Sequence, residues 1–105
     1  MLGASFNVGG DRRVAVRELA QAVVEEAGAS SEPVVPGLYR VGDTRHIFSD
    51  VTALRSRGWA PRAGQREIIR EYLAWAGGQP DLVNTYREAE AKMRSLGVLR
   101  RAGGD

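Results

Sequence analysis

The chain has 105 residues, of which 43% are hydrophobic and 27% charged, and its 15 basic and 13 acidic residues give a net charge of +2. This length allows at most one domain with a modest core, the composition is typical of a folded protein without a membrane span, and the small net charge does not call for nucleic acid. Because cysteine is absent, disulfides and thiolate-bound metals are excluded, and we expect a cytoplasmic protein.

The first third of the chain predicts a short strand and a long helix. Residues 4–8 are mostly apolar and end at a Gly-Gly-Asp turn, which indicates the strand. From residue 16 onward apolar residues recur at helical spacing, so a helix is predicted with that face buried. The predicted buried face consists of Val16, Leu19, Ala20, Val23, Val24 and Ala27. Gly28 would end this helix in the left-handed conformation, whereas Ala15 offers no side-chain cap at its start.

The middle of the chain predicts a loop, a strand and a short helix. Residues 28–37 contain two prolines and many small residues, which exclude a helix. Residues 46–49 alternate in polarity and predict a strand, which leads into a helix over 51–57 with Asp50 as N-cap and Gly58 as terminator. The inward-facing residues of this helix are predicted to be Val51 and Leu54.

Two further amphipathic helices are predicted near the carboxyl end. The first starts at Gln65, and Trp75 lies off its apolar face and would meet a different surface. That apolar face is Ile68, Ile69, Tyr72, Leu73 and Ala76. The second would be capped by Asp81 and ended by Gly97, and residues 100–105 are expected to form a frayed tail.

Residues 39–46, Tyr-Arg-Val-Gly-Asp-Thr-Arg-His, combine two arginines, the only histidine, a carboxylate and a glycine. Arginine presents a rigid fork of donors that fits two phosphate oxygens, and a glycine allows a ligand to approach the backbone. Composition alone leaves two alternatives open. The segment either binds an anion or is a solvated loop in which Arg40 or Arg45 pairs with Asp43.

Four segments in the right order resemble the carboxyl-terminal part of the extended short-chain dehydrogenase/reductase family that acts on nucleotide sugars, such as UDP-glucose 4-epimerase. Residues 40–50 resemble its R-x-G-D-x-R-H...D signature. Residues 6–10, Phe-Asn-Val-Gly-Gly, resemble its Y/F-N-x-G-x-G segment. Gly-Trp-Ala-Pro at 58–61 and Tyr-Leu-Ala-Trp at 72–75 resemble its L-G-W/Y-x-P motif and closing helix.

This resemblance implies that the chain is the substrate-side, carboxyl-terminal part of an NAD-dependent nucleotide-sugar epimerase or dehydratase. The implied fold is α+β, with small β elements and about four helices, and without the Rossmann domain. Residues 1–80 would be the substrate-binding subdomain and 81–99 a helical extension before the tail at 100–105. The implied partners are a nucleotide-diphosphate sugar and the missing N-terminal Rossmann domain, which would bind NAD.

The resemblance also implies roles for individual residues. Arg40 would contact the diphosphate and Asp43 the ribose or a neighbouring backbone group, while Tyr39 could lie against the sugar or base. Arg45 is open between a ligand contact and an ion pair, and His46 is expected to be a half-buried, hydrogen-bonded structural residue. The implied substrate-binding residues are Arg40, Asp43, Asn7, Val8, Tyr39 and Arg45.

The chain lacks the family's dinucleotide-binding and catalytic motifs. A dinucleotide site needs a Gly-rich turn between a strand and a helix, and the chain has no G-x-G-x-x-G. The catalytic tyrosine of the family precedes a lysine by four residues, whereas Glu88 stands four residues before Lys92, the only lysine. One histidine does not make a metal site or a triad. The chain alone is therefore expected to be inactive, with no catalytic, cofactor or metal residues of its own.

Two alternatives from other classes remain open. The chain could be a free-standing module that binds nucleotide sugars without catalysis, or a structural helical domain that binds a protein partner through residues 81–99. If the chain is a segment cut from a longer enzyme, apolar surface that the missing domain would cover is expected to favour a homo-oligomer.

Overall fold

The computed structural model describes residues 3–10 and 12–103, so Asp11 of the predicted turn and the last two tail residues lie outside the described part. It contains four helices and a two-stranded antiparallel sheet, and the predicted α+β fold class is confirmed. The helices are α1 (Val16–Ala27), α2 (Thr52–Arg55), α3 (Gln65–Gly77) and α4 (Tyr86–Ser95), and the strands are β1 (Leu38–Arg40) and β2 (Leu99–Arg101).

Helix α1 begins and ends where the sequence predicts. Ala15 precedes it without a side-chain cap. Gly28 has a φ of 64° and a ψ of 26°, the left-handed conformation that glycine adopts without a Cβ penalty. The N–H of Gly28 donates to the Glu25 carbonyl at 3.1 Å and that of Ala29 to the Val24 carbonyl at 3.1 Å, which satisfies carbonyls left over at the helix end.

Helix α3 packs against α1, but on a different side of α1 from the one predicted. The buried residue of α1 is Ala22, and the two helices are joined by ion pairs from Arg66 to Glu25 at 2.6 Å and to Glu26 at 3.6 Å. Arg70 adds a pair to Glu26 at 3.7 Å. The predicted apolar face is therefore only partly covered. Its Val16, Leu19 and Val23 are exposed because the described residues supply no apolar surface opposite them.

Helix α3 carries two apolar stripes rather than the single face predicted. The inner stripe contains buried Ile69 and half-buried Leu73 and faces α1. The outer stripe is formed by Ile68, Tyr72 and Trp75, which are 54%, 63% and 55% exposed. The prediction that Trp75 lies off the buried face is confirmed, whereas Ile68 and Tyr72 belong with Trp75 and not with the core.

Helix α2 and its surroundings form the second half of the core. Asp50 lies one residue further from the helix than predicted, yet its Oδ1 accepts the Thr52 N–H at 2.9 Å and also the Thr52 hydroxyl. Val51 and Leu54 are buried, as predicted. Gly58 closes the turn after α2 with a φ of 88°.

The sheet was not predicted. β1 and β2 pair antiparallel, with Tyr39 opposite Arg100 and Arg40 opposite Leu99. Flanking bonds run from the Val41 N–H to the Val98 carbonyl at 2.8 Å and from the Ala102 N–H to the Gly37 carbonyl at 2.6 Å. The expectation of a frayed tail over 100–105 is therefore wrong for its first residues, because main-chain hydrogen bonds hold them against β1.

Helix α4 starts later than predicted. Residues 82–85 are not helical, and Asn84 Oδ1 accepts the Tyr86 N–H at 3.0 Å, so this side chain and not Asp81 satisfies a donor at the helix start. The end is as predicted, because Gly97 has a φ of 70°. Helix α4 has no buried residue and packs against β2. Because β2 pairs with β1, residues 81–99 are connected to the region of residues 1–80.

The two strands predicted over 4–8 and 46–49 are absent, because neither segment finds a partner strand among residues 3–10 and 12–103. The segments nevertheless lie near each other through Gly9. A Cβ on Gly9 would be 2.7 Å from the Ser49 Cβ and 3.8 Å from Val51 Cγ1. Residue 9 must therefore be small for the first segment to lie against the second.

The core of the described chain is small. It consists of four buried hydrophobic residues: Ala22, Val51, Leu54 and Ile69. The accessible surface is 9224 Å², whereas a folded chain of 11.4 kDa exposes about 5,800 Å². The radius of gyration is 17.5 Å, against about 13 Å for a compact domain of this length. The fold is thus extended and leaves much of its apolar surface uncovered.

Candidate functional site

The signature segment, residues 39–50, begins in β1 and leaves it through a tight turn. Gly42 adopts a φ of 94°, and the Asp43 N–H donates to the Arg40 carbonyl at 3.2 Å. A φ in this range strains any residue with a Cβ, which explains the glycine at this position. The turn brings the side chain of Asp43 back toward β1 and next to that of Arg40.

Arg40 and Asp43 form an ion pair. The Arg40 Nε donates to Asp43 Oδ2 at 2.9 Å, and the two side chains are 59% and 49% exposed. This is the pairing that composition alone left open as an alternative to anion binding. An exposed pair of this kind contributes at most about 1 kcal/mol. The Arg40 side chain is thus oriented by Asp43, while its terminal N–H groups have no hydrogen-bond partner among residues 3–10 and 12–103.

A cleft of about 930 Å³ lies on the other side of the turn. We call it the signature cleft. It is bounded by the first turn of α1 with the residues before it and by the second half of the signature segment. Its lining residues are Arg13, Val14, Ala15, Val16, Glu18, Thr44, Arg45, His46, Ile47 and Phe48. The volume is within the range of small-molecule sites in proteins.

The signature cleft carries positive charge on both of its walls. The Arg13 guanidinium lies over the Phe48 ring, 5.3 Å from its centroid, and this contact holds it against the opposite wall. Arg45 lines the same cleft, and no carboxylate of residues 3–10 or 12–103 pairs with either arginine. His46 is exposed in this wall, so the expectation of a half-buried structural histidine is wrong.

A second cleft, of about 530 Å³ between α1 and α3, differs in its electrostatics. Its arginines face acidic partners. Arg12 Nη2 lies 2.9 Å from Glu18 Oε1 and 3.0 Å from Gln65 Oε1, and Arg66 pairs with Glu25. The Arg66 guanidinium and the Gln21 amide together lower the pKa of Glu25, the amide having the larger effect. These charges join α1 to α3, whereas Arg13 and Arg45 of the signature cleft have no carboxylate partner among residues 3–10 and 12–103.

The other predicted site residues are spread over two places. Asn7 and Val8 are exposed in the segment that Gly9 holds against Ser49, near the end of the signature segment. Tyr39 is half-exposed on β1 with Arg100 directly opposite on β2. The structure therefore brings Arg40 and Asp43 together and puts Arg45 in the signature cleft, without a recorded contact between these groups and Asn7 or Val8.

Two arginines near these residues were not among the predicted site residues. Arg13 reaches the signature cleft because α1 packs so that its leading residues face Phe48. Arg100 reaches Tyr39 only through the pairing of β2 with β1. The sequence signal for Arg13 is its position just after the Asn-x-Gly segment, whereas Arg100 has no local signal.

The described part of the chain contains neither a metal-binding cluster nor a membrane-spanning helix. Residues 3–10 and 12–103 contain no group of three or more histidine, cysteine or acidic side chains arranged to hold a metal ion. No helix within these ranges has the length and hydrophobicity needed to cross a membrane.

The chain is similar to a known protein over most of its length. Over 80 residues the chain is 30% identical to dTDP-L-rhamnose 4-epimerase of Burkholderia thailandensis, and this stretch is 75% of the chain but 22% of the epimerase. No family model matches, and no solved structure matches. The similarity agrees with the resemblance to nucleotide-sugar epimerases that the motifs indicate. The chain is thus similar to a short part, about one fifth, of a sugar-nucleotide 4-epimerase.

Proposed function

We propose that this chain recognises a nucleotide-diphosphate sugar and does so as the carboxyl-terminal part of an NAD-dependent nucleotide-sugar epimerase or dehydratase. The observation that carries the proposal is the 30% identity over 80 residues to dTDP-L-rhamnose 4-epimerase. That protein's name gives its substrate as a sugar attached to dTDP. On this proposal the chain alone is inactive and contributes binding energy that positions the sugar for chemistry elsewhere.

The exposed apolar surface supports the proposal that another domain covers it in the complete enzyme. Val16, Leu19 and Val23 of α1 and the outer stripe of α3 remain exposed outside the α1–α3 contact, which buries Ala22 and Ile69 and is flanked by ion pairs. Contiguous apolar faces of this kind mark surfaces that another domain or chain covers. The implied cover is an upstream Rossmann domain, with self-association as the outcome for the isolated chain.

NAD does not fit the residues of this chain. Gly9 and Gly10 follow no strand among the described residues, and α1 begins only at Val16. Without a strand, a tight turn and an adjoining helix start, the pyrophosphate of a dinucleotide is not held in the usual way. In the proposed parent enzyme NAD therefore binds to the upstream domain, and this chain supplies only the substrate side.

Arg40 is the proposed contact to the substrate diphosphate, with Asp43 orienting its guanidinium. A charge-assisted contact of this kind contributes about 1.5 to 3 kcal/mol, so the chain alone should bind nucleotides only weakly, with Kd values in the millimolar range or above. Nuclear magnetic resonance detects binding at this strength. A titration of the labelled chain with dTDP and UDP should shift amide resonances of residues 39–43, and Arg40→Ala should weaken the shifts.

The control for this experiment is Arg87→Ala on α4, which removes an exposed arginine far along the chain from the signature segment. It should leave the titration unchanged. Shifts confined to residues 81–99, with Arg40 and Asn7 silent, would exclude nucleotide recognition. That result would favour the helical partner-binding alternative, which the exposure of Tyr86 and Leu96 on α4 makes the second candidate.

A further inference from the structure

We propose that the signature cleft is a diphosphate-binding site in which Arg13 and Arg45 are the anion contacts. The ligand class is the diphosphate of a nucleotide sugar, and the inference rests on the proposed function. Arg13 lies outside every motif that carries the family resemblance. The inference therefore adds a binding residue, and it locates the anion in the cleft rather than on Arg40 alone.

The charges of the cleft favour an anion. Arg13 and Arg45 face the same concave surface, and like charges that share a cleft repel each other unless an anion lies between them. Glu18 is the single acidic residue among the lining residues, and its Oε1 is already paired with Arg12 Nη2 at 2.9 Å. The unneutralised charge of the lining is therefore positive, and its natural counter-ion is a group with several negative charges.

The lining of the cleft restricts one of the two arginines. Val14, Ile47 and Phe48 contribute apolar surface to the cleft, and because they are 39%, 84% and 47% exposed the site is open to water. The Phe48 ring also holds the Arg13 guanidinium at 5.3 Å, so less side-chain freedom is lost when an anion binds.

Arg13 and Arg45 differ from Arg40 in what a ligand must displace. Arg40 already donates its Nε to Asp43, and an anion that binds Arg40 has the Asp43 carboxylate 2.9 Å away from that nitrogen. No such carboxylate is bound to Arg13 or Arg45 among residues 3–10 and 12–103. Repulsion from a neighbouring carboxylate weakens an anion contact, so Arg13 and Arg45 add contacts to the diphosphate that do not compete with Asp43.

The test uses the whole chain with inorganic pyrophosphate and dTDP as probes and sodium sulfate as the competing anion, all at low ionic strength. Pyrophosphate should shift amide resonances of residues 13–16 and 44–48. Arg13→Ala and Arg45→Ala should each raise its Kd about tenfold or more, which is the usual effect of losing one charge-assisted contact. The Kd of Arg13→Lys should lie between those of the unchanged chain and of Arg13→Ala, because lysine keeps the positive charge but lacks the planar guanidinium group.

Arg17→Ala is the matched control, since Arg17, the second residue of α1, is an exposed arginine that does not line the cleft. It should leave the Kd unchanged. If pyrophosphate binds no better than sulfate, or if Arg17→Ala weakens it as much as Arg13→Ala, the cleft is not a diphosphate site. If dTDP shifts residues 39–43 while 13–16 and 44–48 stay silent, the inference fails and the proposed function stands. If dTDP binds nowhere, the proposed function fails.

Discussion

Replacing Gly9 by alanine tests how the Asn-x-Gly segment is attached to the signature segment. The added Cβ would lie 2.7 Å from the Ser49 Cβ and 2.9 Å from the Ser49 Oγ. Carbon atoms pack at about 3.5–4.0 Å, so the two segments must separate by on the order of 1 Å. Overpacking of this kind costs about 1–3 kcal/mol, which is a large share of the stability of a chain with so small a core.

The neighbouring glycine is the control. A Cβ on Gly10 would meet nothing within 4 Å. Gly10→Ala should therefore leave the free energy of unfolding unchanged or raise it by about 0.4–1 kcal/mol, because alanine restricts the unfolded chain. The assay is urea unfolding of both variants followed by circular dichroism.

A double variant separates the steric clash from a general defect. Ser49→Gly removes the atoms that the new Cβ would meet. If the clash is the cause, Gly9→Ala should cost less in the Ser49→Gly background than in the wild-type chain, and the difference is the interaction energy. Equal stabilities of the Gly9→Ala and Gly10→Ala variants would refute the close approach of the two segments.

Three further predictions concern the core, a cap and the outer stripe of α3. Ile69→Ala should lower the free energy of unfolding by about 2–5 kcal/mol, because Ile69 is buried. Ile68→Ala, on the exposed side of α3, should lower it by about 0.5 kcal/mol or less. Similar losses for the two variants would contradict the two-stripe description of α3. The Thr52 hydroxyl and N–H lower the pKa of Asp50 below its ordinary 3.8, so the stability that this bond contributes is present above pH 3.8 and lost as the pH falls through the lower folded value. Thr52→Val should raise that pKa toward 3.8 in a carboxyl NMR titration, and an unchanged pKa would count against the cap. The isolated chain should self-associate in light scattering, and Trp75→Asp should reduce its apparent mass, whereas a monomeric wild-type chain at high concentration would exclude self-association through this stripe.

The helices could be predicted because their signals are local. Residues three and four apart share one face of a helix, so α1 and α3 are visible from the sequence, and Gly28, Gly58 and Gly97 mark ends that need a positive φ. Which face becomes buried is not a local property. Ala22 is buried in α1 because α3 packs against that side, with Arg66 of α3 paired to Glu25, and periodicity alone does not contain that contact.

The sheet and part of the site could not be predicted for the same reason. β1 and β2 have three residues each and lie far apart in the sequence, so neither shows an alternating pattern long enough to recognise. The pairing that brings Arg100 opposite Tyr39 is therefore invisible until the fold is known. The sequence left open whether Arg40 binds an anion or pairs with Asp43, because that choice depends on three-dimensional surroundings.

The pairing of β1 with β2 also sets the order in which parts of the chain acquire fixed positions. Closing the long segment between the strands has an entropic cost that only a few main-chain bonds and the α4 contact offset. Contacts of such high sequence separation form late in folding. During synthesis, the backbone that carries Tyr39 and Arg40 should remain unfixed until residues 99–101 have emerged, so the proposed nucleotide contact would form only after α1 and α3 have already docked.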